Sequence, residues 1–231
     1  SSWHELSNFI LILVGIDSIV GERRRKMNRE KTDIKKLIKS ILKTSYINFL
    51  IVSYEVSENI EKENKTYVHN GNVKIYNDIE EQNLKFSGEG KGFLDTLFKA
   101  VSKTIVINFP NLENIKNKTK IIDINIKPSN IRSFKEKGSE GTAAAEITLI
   151  ILGNNKKTIK FTSYNNFSMN SAIADVVSQI FEFFVNIDRS FDMIQESLKD
   201  AKKRNRQDLV TNYTNKLIEL VEFRIGCNFK Q

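Results

Sequence analysis

The chain has 231 residues, 40 % hydrophobic and 28 % charged, an ordinary globular balance with enough apolar side chains for one large domain or two small ones. Its formal charge of +8 raises the question of a nucleic-acid partner, but the lysines are interleaved with Asn and Ile and form no single basic stripe, so nucleic-acid binding is not expected. A lone cysteine, Cys227, excludes an intrachain disulfide, and with only His4 and His69 beside it a zinc site of the usual His/Cys kind is excluded too; no cofactor is expected.

The run Phe9-Ile10-Leu11-Ile12-Leu13-Val14 is far shorter than the roughly 20 residues that span a bilayer, and the basic residues follow it rather than precede it. No membrane association is expected, and a cytoplasmic location follows from that and from the cysteine usage. Residues 3–20 are expected to form a helix. The dense run Arg23-Arg24-Arg25-Lys26 reads as a solvated helix end. Over 28–44, Ile34, Leu37, Ile38, Ile41 and Leu42 recur at helical spacing with Lys on the opposite face, and Thr32 or Asn28 is the candidate cap.

The texture then changes to β-formers. Tyr46 to Val56 predicts a strand, Ser57 to Lys65 a charged turn, Tyr67 to Tyr76 a second strand and Leu84-Lys85-Phe86 a third. The glycine turn Gly88-Glu89-Gly90-Lys91-Gly92 leads into a helix over 93–107, whose apolar face is Leu94, Leu97, Phe98, Val101 and Ile105. After a loop at Pro110 the order repeats. Thr119 to Lys127 alternates, with Ile122, Ile124 and Ile126 expected on one side and Ile121, Asp123 and Asn125 on the other. A polar loop over 129–141, a strand Ala144 to Leu152, a hairpin turn Gly153-Asn154-Asn155 and a returning strand Lys156 to Thr162 follow. Ser168 to Ile187 predicts a long apolar helix, and Phe191 to Glu222 an amphipathic one. The fold class is therefore α+β: two tandem β-β-β-α units with additional N- and C-terminal helices.

Catalytic patterns are missing along the whole chain. The glycine cluster lacks the Gly-Lys-Ser/Thr of a phosphate loop and the third glycine of a dinucleotide fingerprint, so it reads as a turn that needs positive φ and close helix–strand packing. No Gly-x-Ser-x-Gly or His-x-x-Glu-His element occurs, and Glu80-Glu81 lie side by side rather than facing across a cleft.

Gly90-Lys91-Gly92-Phe93-Leu94-Asp95-Thr96 resembles the Gly-x-Gly-Pro-Val-Asp-Ala motif that opens the first helix of the regulatory domain in the isopropylmalate synthase family. Phe49 to Val56 resembles that family's first strand. Phe109-Pro110-Asn111-Leu112 followed by Ile121-Ile122-Asp123 is similar to the connector in citramalate synthases. Gly141-Thr142-Ala143-Ala144-Ala145 resembles the loop before the fifth strand, and Phe161-Thr162 with Asn166 to Ala172 the last strand and helix start. Tyr164, Ser168 and Ile173 depart from the family's usual Gly, Asn or Asp, and Ser, and Tyr164 is expected to narrow the effector gap.

The resemblance implies a regulatory domain over 46–190, preceded by a helical segment or linker over 1–45 and followed by a helical extension over 191–231. It implies a homodimer and feedback inhibition by a branched-chain amino acid, leucine or isoleucine, bound between the two units. The implied effector contacts are Gly141, Thr142, Ala143, Ala144, Ser168, Met169 and Ala172, with Gly90, Gly92 and Asp95 as a structural turn motif. A helix start suits the effector's carboxylate. The chain alone is then no enzyme. The family's catalytic barrel, which holds the divalent metal and the acyl-CoA site of an acyltransferase, needs about 250 residues of its own. The alternative is a free-standing interaction module that docks RNA or protein on its basic helices.

Overall fold

The computed structural model describes residues 30–61, 64–130, 142–152, 156–166 and 168–225. Two three-stranded antiparallel sheets, ordered β1-β2-β3 and β4-β5-β6, are each followed by helices, so the α+β architecture of two β-β-β units with flanking helices is as expected. Helix α1 covers residues 30–42. The first sheet is β1 (Asn48–Glu61), β2 (Asn64–Tyr76) and β3 (Glu81–Gly90), and α2 (Phe93–Ile105) lies against β3 and β2. A 3-10 turn (Pro110–Asn114) and the single-turn α3 (Ile115–Lys118) lead to β4 (Thr119–Asn130), β5 (Thr142–Ile151) and β6 (Thr158–Asn166). The long α4 (Met169–Lys203) and α5 (Gln207–Val221) close the fold as a helical hairpin turned at Asn205, whose φ of 54° is one an asparagine tolerates.

Helix α4 is the central element. Its stretch from Ala172 to Ile187 buries Ala172, Val176, Val177, Ile180, Phe181, Phe183 and Phe184 among others. It packs on β1 of the first sheet, on β5 and β6 of the second, and on α5. Phe181 meets Phe49 of β1 and Phe98 of α2, with ring centroids 5.7 and 4.7 Å away, while Phe183 sits edge-on to Phe161 of β6 and to Phe223. One continuous core results, and Ile34, Ile38 and Leu42 of α1 belong to it. The apolar surface of α4 beyond what one sheet covers is therefore largely used within the chain. Position 190 lies inside α4, which runs on without a break to Lys203.

Several local expectations need correction. Thr32 lies inside α1 rather than capping it. The charged segment Ser57 to Lys65 is mostly strand, because β1 runs to Glu61 and β2 starts at Asn64. Cross-strand pairing, including the Glu58–Lys65 ion pair, extends the ladder through polar residues that local composition assigns to a turn. β4 likewise continues to Asn130. The alternation in β4 breaks at a bulge on Ile122: Ile121 and Ile126 pack on the core, whereas Ile122 and Ile124 are exposed. A matching bulge at Val52 in β1 shifts the inward side chains from Phe49 and Ile51 to Tyr54 and Val56. The paired bulges are a structural echo between the units that the sequence does not display.

The glycine turn is also corrected. Gly88 and Gly90 are strand residues of β3, Gly92 is the N-cap of α2 with φ −102°, and none of them has positive φ. The close-packing half of that expectation holds. A Cβ on Gly88 would stand 2.7 Å from the Ala100 Cβ, and one on Gly90 would stand 2.5 Å from Thr96 Oγ1. The glycines let α2 settle onto β3. Asp95 lies in the exposed first turn of α2 and pairs with Lys99, 2.6 Å away. The expected helix at 3–20, the basic run at 23–26 and the hairpin turn at 153–155 lie outside the described residues.

Candidate functional site

Edge strand β1 is held to α4 by a ladder of side-chain to backbone hydrogen bonds. Ile47 N–H donates to Asn186 Oδ1 (2.9 Å), Phe49 N–H to Glu182 Oε2 (3.3 Å) and Ile51 N–H to Ser178 Oγ (3.0 Å). The match is geometric. Four residues of helix rise about 6 Å and two residues of strand about 6.7 Å, so every second edge amide meets every fourth helix position. Asn186 Nδ2 also donates to Ile47 C=O at 2.7 Å, and Tyr46 Oη donates to Glu182 Oε1 at 2.7 Å. Burial first, then the charge and the hydrogen bond of Glu182, push the Tyr46 hydroxyl pKa far above its usual value.

One helical step further toward the α4 N-terminus the ladder lacks a polar side chain: the position is Ala174. A groove of about 420 Å³ opens there. One wall is β1 from Leu50 to Tyr54, including the Val52 bulge; the other is Ser168, Asn170, Ser171, Ala174 and Asp175 of the helix start. Leu50 and Val52 stay solvent-exposed beside it, at 41 % and 48 %. The groove thus lies between the first strand of one unit and the helix start of the other.

The helix start is organised by a capping box. Ser171 N–H donates to Ser168 Oγ (3.1 Å) and Ser168 N–H to Ser171 Oγ (3.0 Å). The N–H groups of Met169 and Asn170 belong to the first turn and have no intrahelical acceptor. Asp175, one turn in, accepts hydrogen bonds from Ser163 Oγ and from Gln179 Nε2, the latter at 3.2 Å. Among the described residues, no Lys or Arg is paired with it. The groove therefore offers a carboxylate, a helix N-terminus and two aliphatic side chains within one cleft.

The expected effector residues are only partly brought together here. Ser168 caps α4 and lines the groove, and Met169 is exposed beside it. Ala172 is fully buried and does not line the groove. Thr142, Ala143 and Ala144 form the start of β5, where Ala143 is in register with Asn166 of β6, two residues before the Ser168 cap. They sit at the same end of the second sheet; Ala144 does not line the groove, and the side chains of Thr142 and Ala143 lie outside the described residues. Gly141 lies outside the described residues. Tyr164 is in β6, and its side chain is likewise outside them. Sequence reasoning missed Asp175, Val52 and Tyr54. A lone carboxylate in the apolar run Ala172-Ile173-Ala174-Asp175-Val176-Val177 was a readable signal for the first, but a bulge has none.

Among the described residues there is no cluster of three or more His, Cys, Asp or Glu that could hold a metal ion, and no helix is long and apolar enough to cross a membrane. No protein-family model matches the chain, and no curated protein matches it either.

Proposed function

We propose that this chain is an amino-acid-sensing regulatory module, of the kind that the isopropylmalate and citramalate synthase family attaches to its catalytic barrel. The observation that carries the reading is the groove between the two units, lined by the bulged stretch of β1 and the α4 start. Its groups match a zwitterion: Asp175 suits the α-ammonium, the first-turn N–H groups of α4 suit the α-carboxylate, and Leu50 with Val52 suits a branched aliphatic side chain. Leucine or isoleucine is the effector of choice. A ligand here touches both units and biases how β1 docks on α4, which is the differential contact that an allosteric signal requires. The signal acts on a catalytic barrel of the same enzyme, and two copies associate as a homodimer in the cytoplasm. The chain itself performs no catalysis.

The test is calorimetric titration of the purified chain with leucine, isoleucine and glycine. Saturable binding of the branched amino acids, weakened by Asp175→Asn and by Val52→Glu, supports the reading. Absence of binding by all three, from a protein that melts cooperatively, refutes it.

A further inference from the structure

The groove residue Tyr54 leads to a buried histidine that the amino-acid reading does not use. His69 of β2 is completely buried, and its Nδ1 is 2.8 Å from Tyr54 Oη. The ring is boxed by Tyr54, stacked nearly parallel at 5.6 Å between centroids, by Tyr67 at 6.2 Å and by Phe93, edge-on at 5.0 Å. Its register neighbours are Val56 and Gly88, neither of which carries a polar side chain. Nε2 has no hydrogen-bond partner. If Tyr54 donates to Nδ1, Nε2 carries a buried N–H with no acceptor; in the other tautomer it is a bare lone pair. A protonated ring donates from both nitrogens, and only Nδ1 makes a hydrogen bond here; among the described residues the Phe93 backbone is the one other group that favours the charged ring.

The surrounding charges offer no relief. From β1 and β2 the titratable groups on this face are the Tyr54 and Tyr67 hydroxyls, Glu58, in register with Tyr67 and paired with Lys65, and Lys65 itself, whose Nζ lies 5.1 Å from the Tyr67 ring centroid. Glu55 and Glu89, in register with Asn70 and Val68, project from the other face of the sheet. From α2, Asp95 is exposed and paired with Lys99. Phe93 begins α2, whose N-cap Gly92 makes no side-chain cap, so this ring packing is what seats the helix start.

We propose that the His69–Tyr54 pair is a proton-operated latch: neutral His69 holds Tyr54 at the groove wall and Phe93 at the start of α2, and protonation releases both. Burial lowers the His69 pKa, with the Phe93 backbone opposing, which agrees in direction. The sign follows. The unfolded or opened ring takes up its proton near pH 6.5 and the boxed ring only below that, so the closed state is fully favoured above about pH 6.5 and loses stability as pH falls beneath it. The latch needs no ligand, so it stands or falls separately from the effector reading.

The experiment is amide hydrogen exchange of the full chain at about pH 5.5 and about pH 7.5, corrected for intrinsic rates, alongside NMR titration of the His69 ring assigned with His69→Gln. At the lower pH, amides at 54–56, 67–69 and 93–96 should lose up to about tenfold of their protection. Those of α4 at 176–187 should keep theirs, and in His69→Phe the pH effect should vanish. Equal protection at both pH values in the wild type, or a pH effect that persists in His69→Phe, overturns the latch. Should His69→Phe not fold, the wild type decides. A ring titration whose midpoint lies below about pH 6.5, with protection falling between the two, supports the latch, and a midpoint at or above about pH 6.5 overturns it.

Discussion

Removing one rung of the ladder between β1 and α4 should cost more than any surface change in the molecule. Asn186 is 1 % exposed and makes three hydrogen bonds: Ile47 N–H to its Oδ1, and its Nδ2 to the carbonyls of Ile47 and Glu182. Asn186→Leu has similar volume and deletes all three. The Glu182 carbonyl keeps its helical bond, but Ile47, itself 3 % exposed, is left with a buried N–H and a buried C=O unpaired. At about 1–3 kcal/mol for each stranded group, less about 1 kcal/mol regained from the more apolar side chain, the loss is about 3 kcal/mol. For a chain of this size that lowers Tm by roughly 6–12 °C. Ser178→Ala, which strands only the Ile51 N–H, should cost about 1–2 kcal/mol. Urea unfolding of both variants and their double mutant is the assay. An Asn186→Leu protein within about 0.5 kcal/mol of wild type would refute the ladder as the element that fixes the first sheet on α4.

Other changes test other contacts. Gly88→Ala places its methyl against Ala100 and should destabilise by about 1–3 kcal/mol, measured by chemical unfolding, because a strand backbone and a packed helix must both give way. Arg224 pairs with Asp188 at 2.7 Å, both side chains nearly buried, so Arg224→Met should cost about 3–5 kcal/mol by leaving the carboxylate uncompensated; Asp188→Asn in the same background should recover part of it. Burial, then the charge of Lys35, lowers the Lys31 pKa to about 8. The native state therefore sheds this proton before the unfolded state does, and stability rises as pH climbs from about 8 to about 10.4. Lys31→Met should raise stability below pH 8 and lose that advantage above about pH 10.4; a gain independent of pH in this window contradicts the assignment.

Element types and their order were legible in the sequence because helical and alternating apolar patterns survive at Ile34-Leu37-Ile38, Leu97-Phe98-Val101 and Ile147-Leu149-Ile151. Their ends were not, because pairing partners decide how far a strand runs. Glu58 to Glu61 are strand only because Asn64 to Tyr67 lie opposite. The bulges at Val52 and Ile122 reverse which side chains point inward without any local residue signal. The same holds for the site. The Ser168 cap was readable from its position before an apolar run, and the Ser178, Glu182, Asn186 stripe has helical spacing. That this stripe meets the edge of a strand some 130 residues away in the chain is a tertiary fact.

The most direct test of the central claim is to follow backbone amide NMR shifts of the full chain as leucine is added. The account predicts saturable shifts concentrated at 50–54 and 168–175, on the two walls of the groove, with the Ile51, Phe49 and Ile47 ladder amides following in order of distance and the α5 amides unmoved. At a free concentration 100 times the dissociation constant, the same occupancy should stabilise the fold by about 2.7 kcal/mol. Shifts confined to another surface, or none up to millimolar leucine and isoleucine, would contradict it.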